Sequence, residues 1–528
     1  MTSSETPADL PDDGPGPAGS GWRRLDVRTV LASSVLALGA CLAGGVPTLA
    51  GMRQAGGTAF TVAAVLVVGG TILLVGLAAV LEYVRLERTR FRIGADRVEL
   101  HTGIVVRTRK GLARERVRTV EVTADPVLRL LGLATLRIGT GQRSSATDRP
   151  LELRALRRAD AESVRRELLD RDRPDEAEPS LAVATPRGDE TLAVLDPGWI
   201  RFAPISALTP ALGVAAFGAV LQGADWIGLQ RTVLDETVAA VQALGFVVSL
   251  LVGLVVVVVV GTVGSLAVFV ESWWAFRLTR EAGAGGLGSL HVRRGLLTTR
   301  STTLEENRLR GVAVIEPLGA RALGAARLDA VATGLSHADG QRSDPKGLLP
   351  VAPLAVVERV VADVLREPAA PTAQVTLRPH PPAARRRRLR WGCAAGLVPA
   401  VVVAVLALGF GSLTLTVTAA VLAVVGIVVG VRLGIVAHRN LGHGLVGTYV
   451  VSRHGAPGRR TVALRRDGIL TWSVSQTVFQ RRAGLATLWF TTAAGDGRYG
   501  VFDLTAADAV AFAVETLGDQ LEPFLSVG

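Results

Sequence analysis

Six long segments of the chain are apolar along their whole length, and they occur in pairs separated by polar stretches. They are residues 30–50, 58–81, 205–221, 241–270, 391–410 and 413–436. Their interiors lack Asp, Glu, Lys and Arg over about the 20 residues that a helix needs to cross hydrocarbon. The pattern therefore predicts six transmembrane helices in three pairs, at 30–84, 201–270 and 391–437.

Arginine is concentrated on one side of these predicted spans. The arginines on that side are Arg23, Arg24 and Arg28 before the first span, Arg85, Arg88, Arg90 and Arg92 after the second, Arg385, Arg386, Arg387, Arg388 and Arg390 before the fifth, and Arg432 and Arg439 at the end of the sixth. The loop between the third and fourth spans has no such excess. Because basic flanks stay in the cytoplasm, we expect both termini and all three large polar stretches to be cytoplasmic.

The three polar stretches share one spacing of leucine and glycine. A glycine follows 20 residues after a leucine in each stretch, and another glycine precedes that leucine by nine residues. The positions are Gly103, Leu112 and Gly132 in the first stretch, Gly295, Leu304 and Gly324 in the second, and Gly455, Leu464 and Gly484 in the third. Since each stretch follows an apolar pair, we predict a unit of helix pair plus soluble domain, repeated three times.

Within the first copy, the local pattern predicts strands followed by a helix. Residues 98–102 and 104–108 flank Gly103 as a hairpin would, and residues 117–122 alternate with a period of two. Residues 127–131 form a short apolar helical turn that ends at Gly132, before a strand at 133–138. An amphipathic helix with Leu156, Val164 and Leu168 on one face closes the copy.

The other two copies are expected to close in the same way. Valines at 356, 357, 360, 361 and 364 predict the closing helix of the second copy, and Thr505 to Asp508 predicts a capping box that opens the last helix. The resulting layout is a disordered tail at 1–21, soluble domains at 85–173, 271–367 and 438–528, a linker at 174–200 and a basic linker at 368–390.

Composition supports a membrane protein and argues against two other classes. Hydrophobic residues make up 49% of the chain although aromatic residues make up only 5%, and the net charge is +12. No nucleic-acid recognition motif accompanies the charge, so we expect no nucleic-acid partner. Cys41 and Cys393 lie in apolar segments and predict no disulfide or metal framework; the alternative for Cys41, lipidation at Leu38-Gly39-Ala40-Cys41, stays open.

The chain resembles the bacterial PH-like membrane proteins of the YdbS/YdbT type, and its three copies resemble the longer, YdbT-like members. The resemblance is carried by Phe91-Arg92-Ile93, Phe276-Arg277-Leu278, the hairpins at Gly103 and Gly295, and Gly-Leu-Ala-Thr-Leu at 132–136 and 484–488. It implies three cytoplasmic α+β PH-like domains, each a bent β-barrel or sandwich with a C-terminal helix, in the bacterial plasma membrane. The second copy departs from the pattern with an insertion at 282–288, and the third with Gly447-Thr448-Tyr449 at its entry.

The sequence predicts no catalytic residue, metal site or cofactor. Its seven histidines are scattered, and no nucleophile elbow, phosphate loop or HExxH-type motif is present. One basic cluster could hold an anionic ligand or an acidic partner; its members are Arg107, Arg109, Lys110, Arg114 and Arg116. The alternative is a solvated face drawn to an anionic bilayer.

We therefore expect a non-enzymatic membrane scaffold or binding protein that recognises lipid, peptide or protein at the inner leaflet. The alternative is a component of an export or channel complex. The resemblance implies a role in envelope homeostasis or antimicrobial resistance. It also implies membrane lipids and a smaller single-domain relative, or a second copy of this chain, as partners.

Overall fold

The computed structural model describes residues 22–52, 57–94, 97–102, 108–113, 119–139, 151–169, 190–205, 208–226, 229–281, 288–333 and 346–525. The predicted tail at 1–21, Gly103, and most of the insertion at 282–288 lie outside these residues. The described residues divide into two compact units. The first consists of residues 1–117, 127–136 and 151–168, and the second of residues 118–126, 137–150 and 169–528.

The helices and strands in the first part of the chain follow the predicted order of helix pair, strands and helix. They are β1 (Arg23–Arg24), α1 (Arg28–Met52), α2 (Gly57–Glu87), β2 (Arg90–Ile93), β3 (Arg97–Thr102), β4 (Thr108–Ala113), β5 (Thr119–Ala124), α3 (Pro126–Leu130), β6 (Leu133–Gly139), β7 (Leu151–Arg157) and α4 (Arg158–Leu169).

The middle of the chain continues with β8 (Glu190–Val194), a 3-10 helix (Pro197–Ile205), α5 (Leu208–Trp226), α6 (Gln230–Leu244), α7 (Phe246–Trp273), β9 (Arg277–Glu281), β10 (Ser289–Arg294), β11 (Thr299–Glu305), β12 (Leu309–Pro317), α8 (Leu318–Ala322), β13 (Ala325–Ala332), β14 (Gly347–Pro353), α9 (Leu354–Leu365) and α10 (Pro371–Gln374). The end of the predicted linker at 174–200 thus contains β8 and the first turn of the 3-10 helix.

The last part contains α11 (Pro382–Phe410), α12 (Leu413–Arg439), β15 (Gly442–Val446), β16 (Tyr449–His454), β17 (Gly458–Arg465), β18 (Thr471–Ser475), α13 (Val478–Arg482), β19 (Leu485–Thr491), β20 (Arg498–Thr505) and α14 (Ala506–Leu525). The predicted basic linker at 368–390 is therefore partly helical, because its arginines continue α11 without a break. Proline in the first turn and arginine after it both favour that helix.

Five helices among the described residues are long and apolar enough to cross a membrane. Their candidate spans are Arg28–Leu49, Phe60–Glu87, Leu251–Trp273, Pro382–Phe410 and Leu413–Arg439. A sixth exists if the 3-10 helix and α5, which meet at an angle of 71°, form one broken span. The predicted fourth span at 241–270 is divided, because α6 ends at Leu244 and Gly245 adopts a φ of 77° before α7.

Glycine brings the last two spans into close contact. A Cβ atom at Gly396 would overlap the backbone of Gly426, and a Cβ atom at Gly392 would overlap the backbone of Gly430. Small residues at four-residue spacing allow helix backbones to approach closely in the absence of a hydrophobic driving force. The same relation holds between Gly213 of α5 and Val257 of α7.

In the first unit, β1 to β4 form an antiparallel sheet in sequence order. β3 and β4 pair as a hairpin, from Arg97 with Ala113 to Thr102 with Thr108, so the second strand begins where the predicted strand at 104–108 ends. The predicted turn at Gly103 and the rest of that strand lie outside the described residues. The predicted closing helix is present as α4 with Val164 and Leu168 buried, but Leu156, which was predicted on the same helical face, lies in strand β7, where it is also buried. This unit therefore has its own apolar core.

In the second unit, strands that are distant in sequence share sheets. One sheet contains the order β5-β11-β10-β9-β8, and another has the order β14-β13-β12-β17-β16-β15. The contact between β11 and β5 and the contact between β12 and β17 are both antiparallel. The sheets therefore cross the predicted boundaries at 173, 271, 367 and 438, which local patterns alone do not reveal.

The leucines of the predicted repeat, and those of its glycines that the structure describes, lie at matching places. Leu112 pairs with Val98, Leu304 with Leu290 and Leu464 with Val450, and all six side chains are buried. The hairpin glycines Gly295 and Gly455 have φ of 110° and 117°. The glycines that follow the short helices α3, α8 and α13 also lie in the left-handed region; they are Gly132 (φ 70°), Gly324 (φ 64°) and Gly484 (φ 65°).

Candidate functional site

The basic cluster predicted in the first copy falls largely outside the described residues. Arg107, Arg114 and Arg116 are not among them. Arg109 lies in β4 opposite His101, and Lys110, which is half-buried, lies opposite Leu100. The described geometry therefore neither assembles this cluster into a site nor separates its members.

A second group of basic residues has a defined geometry. In the sequence, these arginines served only to predict which side of the membrane the spans face. Residues 385–388 and 390 lie in the first turns of α11, where five arginines oppose the positive end of the helix dipole. Arg387 and Arg388 turn toward β20, whereas Arg385, Arg386 and Arg390 are exposed. The group thus divides into two arginines that contact the domain, called the bound half, and three that face solvent, called the open half.

Asp503 of β20 holds the bound half. Its carboxylate accepts hydrogen bonds from Arg387 Nη1 at 2.6 Å, from Arg388 Nε at 2.7 Å and from Gln480 Nε2 at 3.0 Å. Asp503 is fully buried and has a φ of 61°, which is unusual for a residue other than glycine. A strained, buried carboxylate with two guanidinium partners fixes the start of a candidate span to the soluble domain that follows it.

Next to this ion-pair group is a cavity of about 590 Å³ between α11 and α13. Four arginines line it, and they are Arg386, Arg387, Arg390 and Arg482. Trp391 and Phe479 also line it, with ring centroids 6.2 Å apart and planes nearly perpendicular. The cavity therefore combines guanidinium groups with an aromatic wall.

The position of α13 depends on local capping. Thr477 and Gln480 form a reciprocal capping box, in which Gln480 N–H donates to Thr477 Oγ1 and Thr477 N–H donates to Gln480 Oε1. The buried Gln480 side chain then donates to Asp503 and to Thr487. The predicted capping at the last helix is present in part, since Asp508 N–H donates to Thr505 Oγ1 at 3.0 Å.

Two buried histidines also lie in this part of the chain, and one of them, His380, interacts with the backbone of Asp503. His443 Nδ1 and His380 Nε2 are 3.2 Å apart, and both side chains are buried. Burial, together with the neighbouring His380 and Arg378, lowers the pKa of His443 to about 4. Burial also lowers the pKa of His380, although Asp503 opposes this shift. Both rings are therefore neutral at pH 7, and no group of three or more metal-ligating side chains occurs among the described residues.

The sequence contained part of the signal for this site. The run of arginines that ends at Trp391 marks a basic boundary of a span, and such boundaries attract anionic groups. Phe479 and Arg482 could not be assigned to it, because only the tertiary fold brings α13 beside α11.

The family comparison agrees with this combination of helix pairs and sheets. The family model of the bacterial PH domain matches residues 34–172 and residues 394–516. No curated protein and no solved structure matches the chain. The chain therefore contains PH-like domains together with antiparallel sheets, and its described residues include five to six apolar helices that are compatible with a membrane protein.

Proposed function

We propose that the protein is a non-enzymatic scaffold or binding protein of the bacterial plasma membrane. One observation carries this proposal: each match to the bacterial PH domain begins within an apolar helix pair and continues through the sheets and closing helix that follow. A binding domain that is built onto a helix pair is suited to hold partners at a membrane surface. PH-like domains of the YdbS/YdbT type, with a role in envelope homeostasis or antimicrobial resistance, fit this reading.

We further propose that the domain occurs three times. The family model does not match residues 173–393, but the described residues of this part follow a similar order, with helices α5 to α7, strands β9 to β11, strands β12 to β14 and the closing helix α9. The matching places of Leu112, Leu304 and Leu464 in their hairpins support a common origin.

The proposed orientation places the three domains and both termini in the cytoplasm. It rests on the arginines that flank the spans, above all residues 385–388 and 390, because basic flanks are retained on the cytoplasmic side. There the domains would meet membrane lipids and either a second copy of this chain or a smaller PH-like membrane protein.

Reporter fusions test this orientation. Fusions of alkaline phosphatase and of a fluorescent protein after Arg173, Glu367 and Gly528 should all give fluorescence and no phosphatase activity. A matched fusion within α6, after Leu234, should give the opposite result. Phosphatase activity at any of the first three positions would refute the proposed arrangement.

A pull-down of the intact protein from membranes tests the binding role. We expect recovery of a second copy of the chain or of a small PH-like membrane protein. Recovery of neither, with membrane lipids also absent from the purified protein, would contradict a scaffold or binding role.

A further inference from the structure

Several arginines of the cavity between α11 and α13 have no carboxylate partner among the described residues. Arg386 and Arg390 lie on α11 and Arg482 lies on α13, and all three are exposed. Arg387 binds Asp503 through Nη1, whereas its Nε is buried and has no hydrogen-bond partner in the described structure. The cavity therefore has unused N–H donors and a positive charge that Asp503 alone does not neutralise.

The aromatic wall of the cavity lies where the charge-free part of α11 begins. Residues 391–410 contain no charged side chain, so Trp391 is the first residue of the charge-free part of α11. Tryptophan prefers this interfacial level of a bilayer. Phe479 contacts Trp391 edge to face and is 62% exposed, and its neighbour Val478 is 59% exposed. With α11 as the membrane span proposed above, these apolar side chains of α13 lie at the depth of the lipid headgroups.

A ligand that satisfies both walls needs an anionic group and an apolar group joined at short distance. Guanidinium groups bind phosphate oxygens through paired, charge-assisted hydrogen bonds. A phospholipid places its phosphate directly above its glycerol and acyl carbons, and it reaches this cavity from the bilayer without leaving it. An acidic peptide would supply the charge but would leave Trp391 and Phe479 without an apolar partner.

We propose that this cavity binds the phosphate group of an anionic membrane phospholipid. Arg386, Arg390 and Arg482 donate to the phosphate oxygens, and Trp391 and Phe479 pack against the glycerol and the first acyl carbons. Asp503 keeps the arginine wall in place by fixing the first turns of α11. This inference rests on the proposed function in one respect, since α11 must be a membrane span.

Matched variants of the full-length protein in detergent test the proposal. R386Q/R482Q removes two charges that line the cavity, and neither arginine has an ion pair among the described residues. R385Q/R481Q removes two exposed charges from the same two helices, one residue away from the cavity in each case. Native mass spectrometry then measures the binding of phosphatidylglycerol and of phosphatidylcholine to the wild type and to both variants.

We expect the wild type to bind phosphatidylglycerol in preference to phosphatidylcholine. R386Q/R482Q should weaken phosphatidylglycerol binding about tenfold or more, and R385Q/R481Q should weaken it less than about twofold. Equal losses in both variants, no loss in either, or no preference between the lipids would overturn the proposal. Displacement of the lipid by millimolar glycerol phosphate would also overturn it, because the site would then recognise a free phosphate ester.

The outcome is separable from that of the proposed function. Reporters that place the third domain outside the cytoplasm would refute the proposed orientation, whereas the lipid measurement in detergent does not depend on it. Cytoplasmic reporters combined with equal losses in the two variants would refute only the cavity.

Discussion

Asp503 shows how a single residue links a soluble domain to a span. Five arginines in the first turns of α11 repel one another and oppose the helix dipole, and Asp503 is the carboxylate that binds two of them. Because Asp503 is completely buried, its two ion pairs are stronger than pairs at the surface. Removing its charge would leave two guanidinium groups without a partner, which costs free energy. The residue is therefore a structural requirement of the junction.

Asp503→Asn isolates the charge, because asparagine has the same shape and tolerates a positive φ. We expect the variant to lose about 2–4 kcal/mol of stability, since two partly buried guanidinium groups lose their partner. Asp467→Asn is the matched control, because the Arg465–Asp467 pair is exposed and is worth about 0–1 kcal/mol. Thermal unfolding of the full-length protein in detergent measures both, and an unfolding midpoint unchanged in Asp503→Asn would refute the role of its charge.

The buried histidines predict a loss of stability in acid. Burial lowers the pKa of His443 and of His454 to about 4 each, from a usual value of 6.5. Protons therefore bind more readily to the unfolded chain, so this part of the stability is complete above pH 6.5 and falls as the pH decreases from 6.5 to 4. Each group contributes on the order of 3 kcal/mol. Unfolding midpoints measured from pH 7.5 to 4.5 should fall, and the fall should be smaller in His454→Gln; an equal fall would contradict this assignment.

At the scale of elements, glycine decides how close α11 and α12 come. Gly396 and Gly426 meet backbone to backbone, so neither position has room for a Cβ atom. Gly409, on the same helix, has no heavy atom near the place that a Cβ would occupy. The contact is therefore local to one stretch of the pair.

Gly396→Ala should separate the two helices and destabilise the protein by about 1–3 kcal/mol, as overpacking does. Gly409→Ala is the control and should be neutral or stabilising by up to about 1 kcal/mol, because alanine is the better helix former. Thermal unfolding in detergent compares them. Equal midpoints for the two variants would show that the close contact contributes nothing.

Periodic patterns were sufficient to predict most elements but not their partners. The apolar segments predicted the helices of the first and third pairs, and Gly132 predicted the end of α3 because only a left-handed residue fits there. Gly245 broke the fourth predicted span, since a helix-length apolar run does not show where one helix stops and another starts. The pairing of β12 with β17 depends on tertiary packing and has no local signal.

The cavity was beyond sequence reasoning for the same reason. Its arginines on α11 form a visible run, but the capped turn at α13 supplies Phe479 and Arg482 from a distant part of the chain. The predicted basic cluster at Arg107 to Arg116 lies mostly outside the described residues, so that prediction stands untested.

At the scale of the molecule, shared sheets make the second unit a continuous scaffold. β12 of the proposed second domain pairs with β17 of the proposed third along seven residues. Across this contact the buried Glu316 accepts two hydrogen bonds from its cross-strand partner Arg459. Outside these two strands, Lys346 donates a hydrogen bond to Asp496 at 2.6 Å. Strands paired in this way hold the proposed second and third domains in a fixed relation, which independent domains on flexible linkers would not have.

Disulfide formation across this sheet in native membranes tests the scaffold most directly. Ile315 and Arg460 are cross-strand partners, so I315C/R460C should form a disulfide rapidly once Cys41 and Cys393 are replaced by serine. I315C/T461C is the control, because Thr461 faces the other side of the sheet. The account predicts a disulfide in the first pair and little in the second. Absence of a disulfide in I315C/R460C, or equal formation in both pairs, would contradict a sheet shared between the domains.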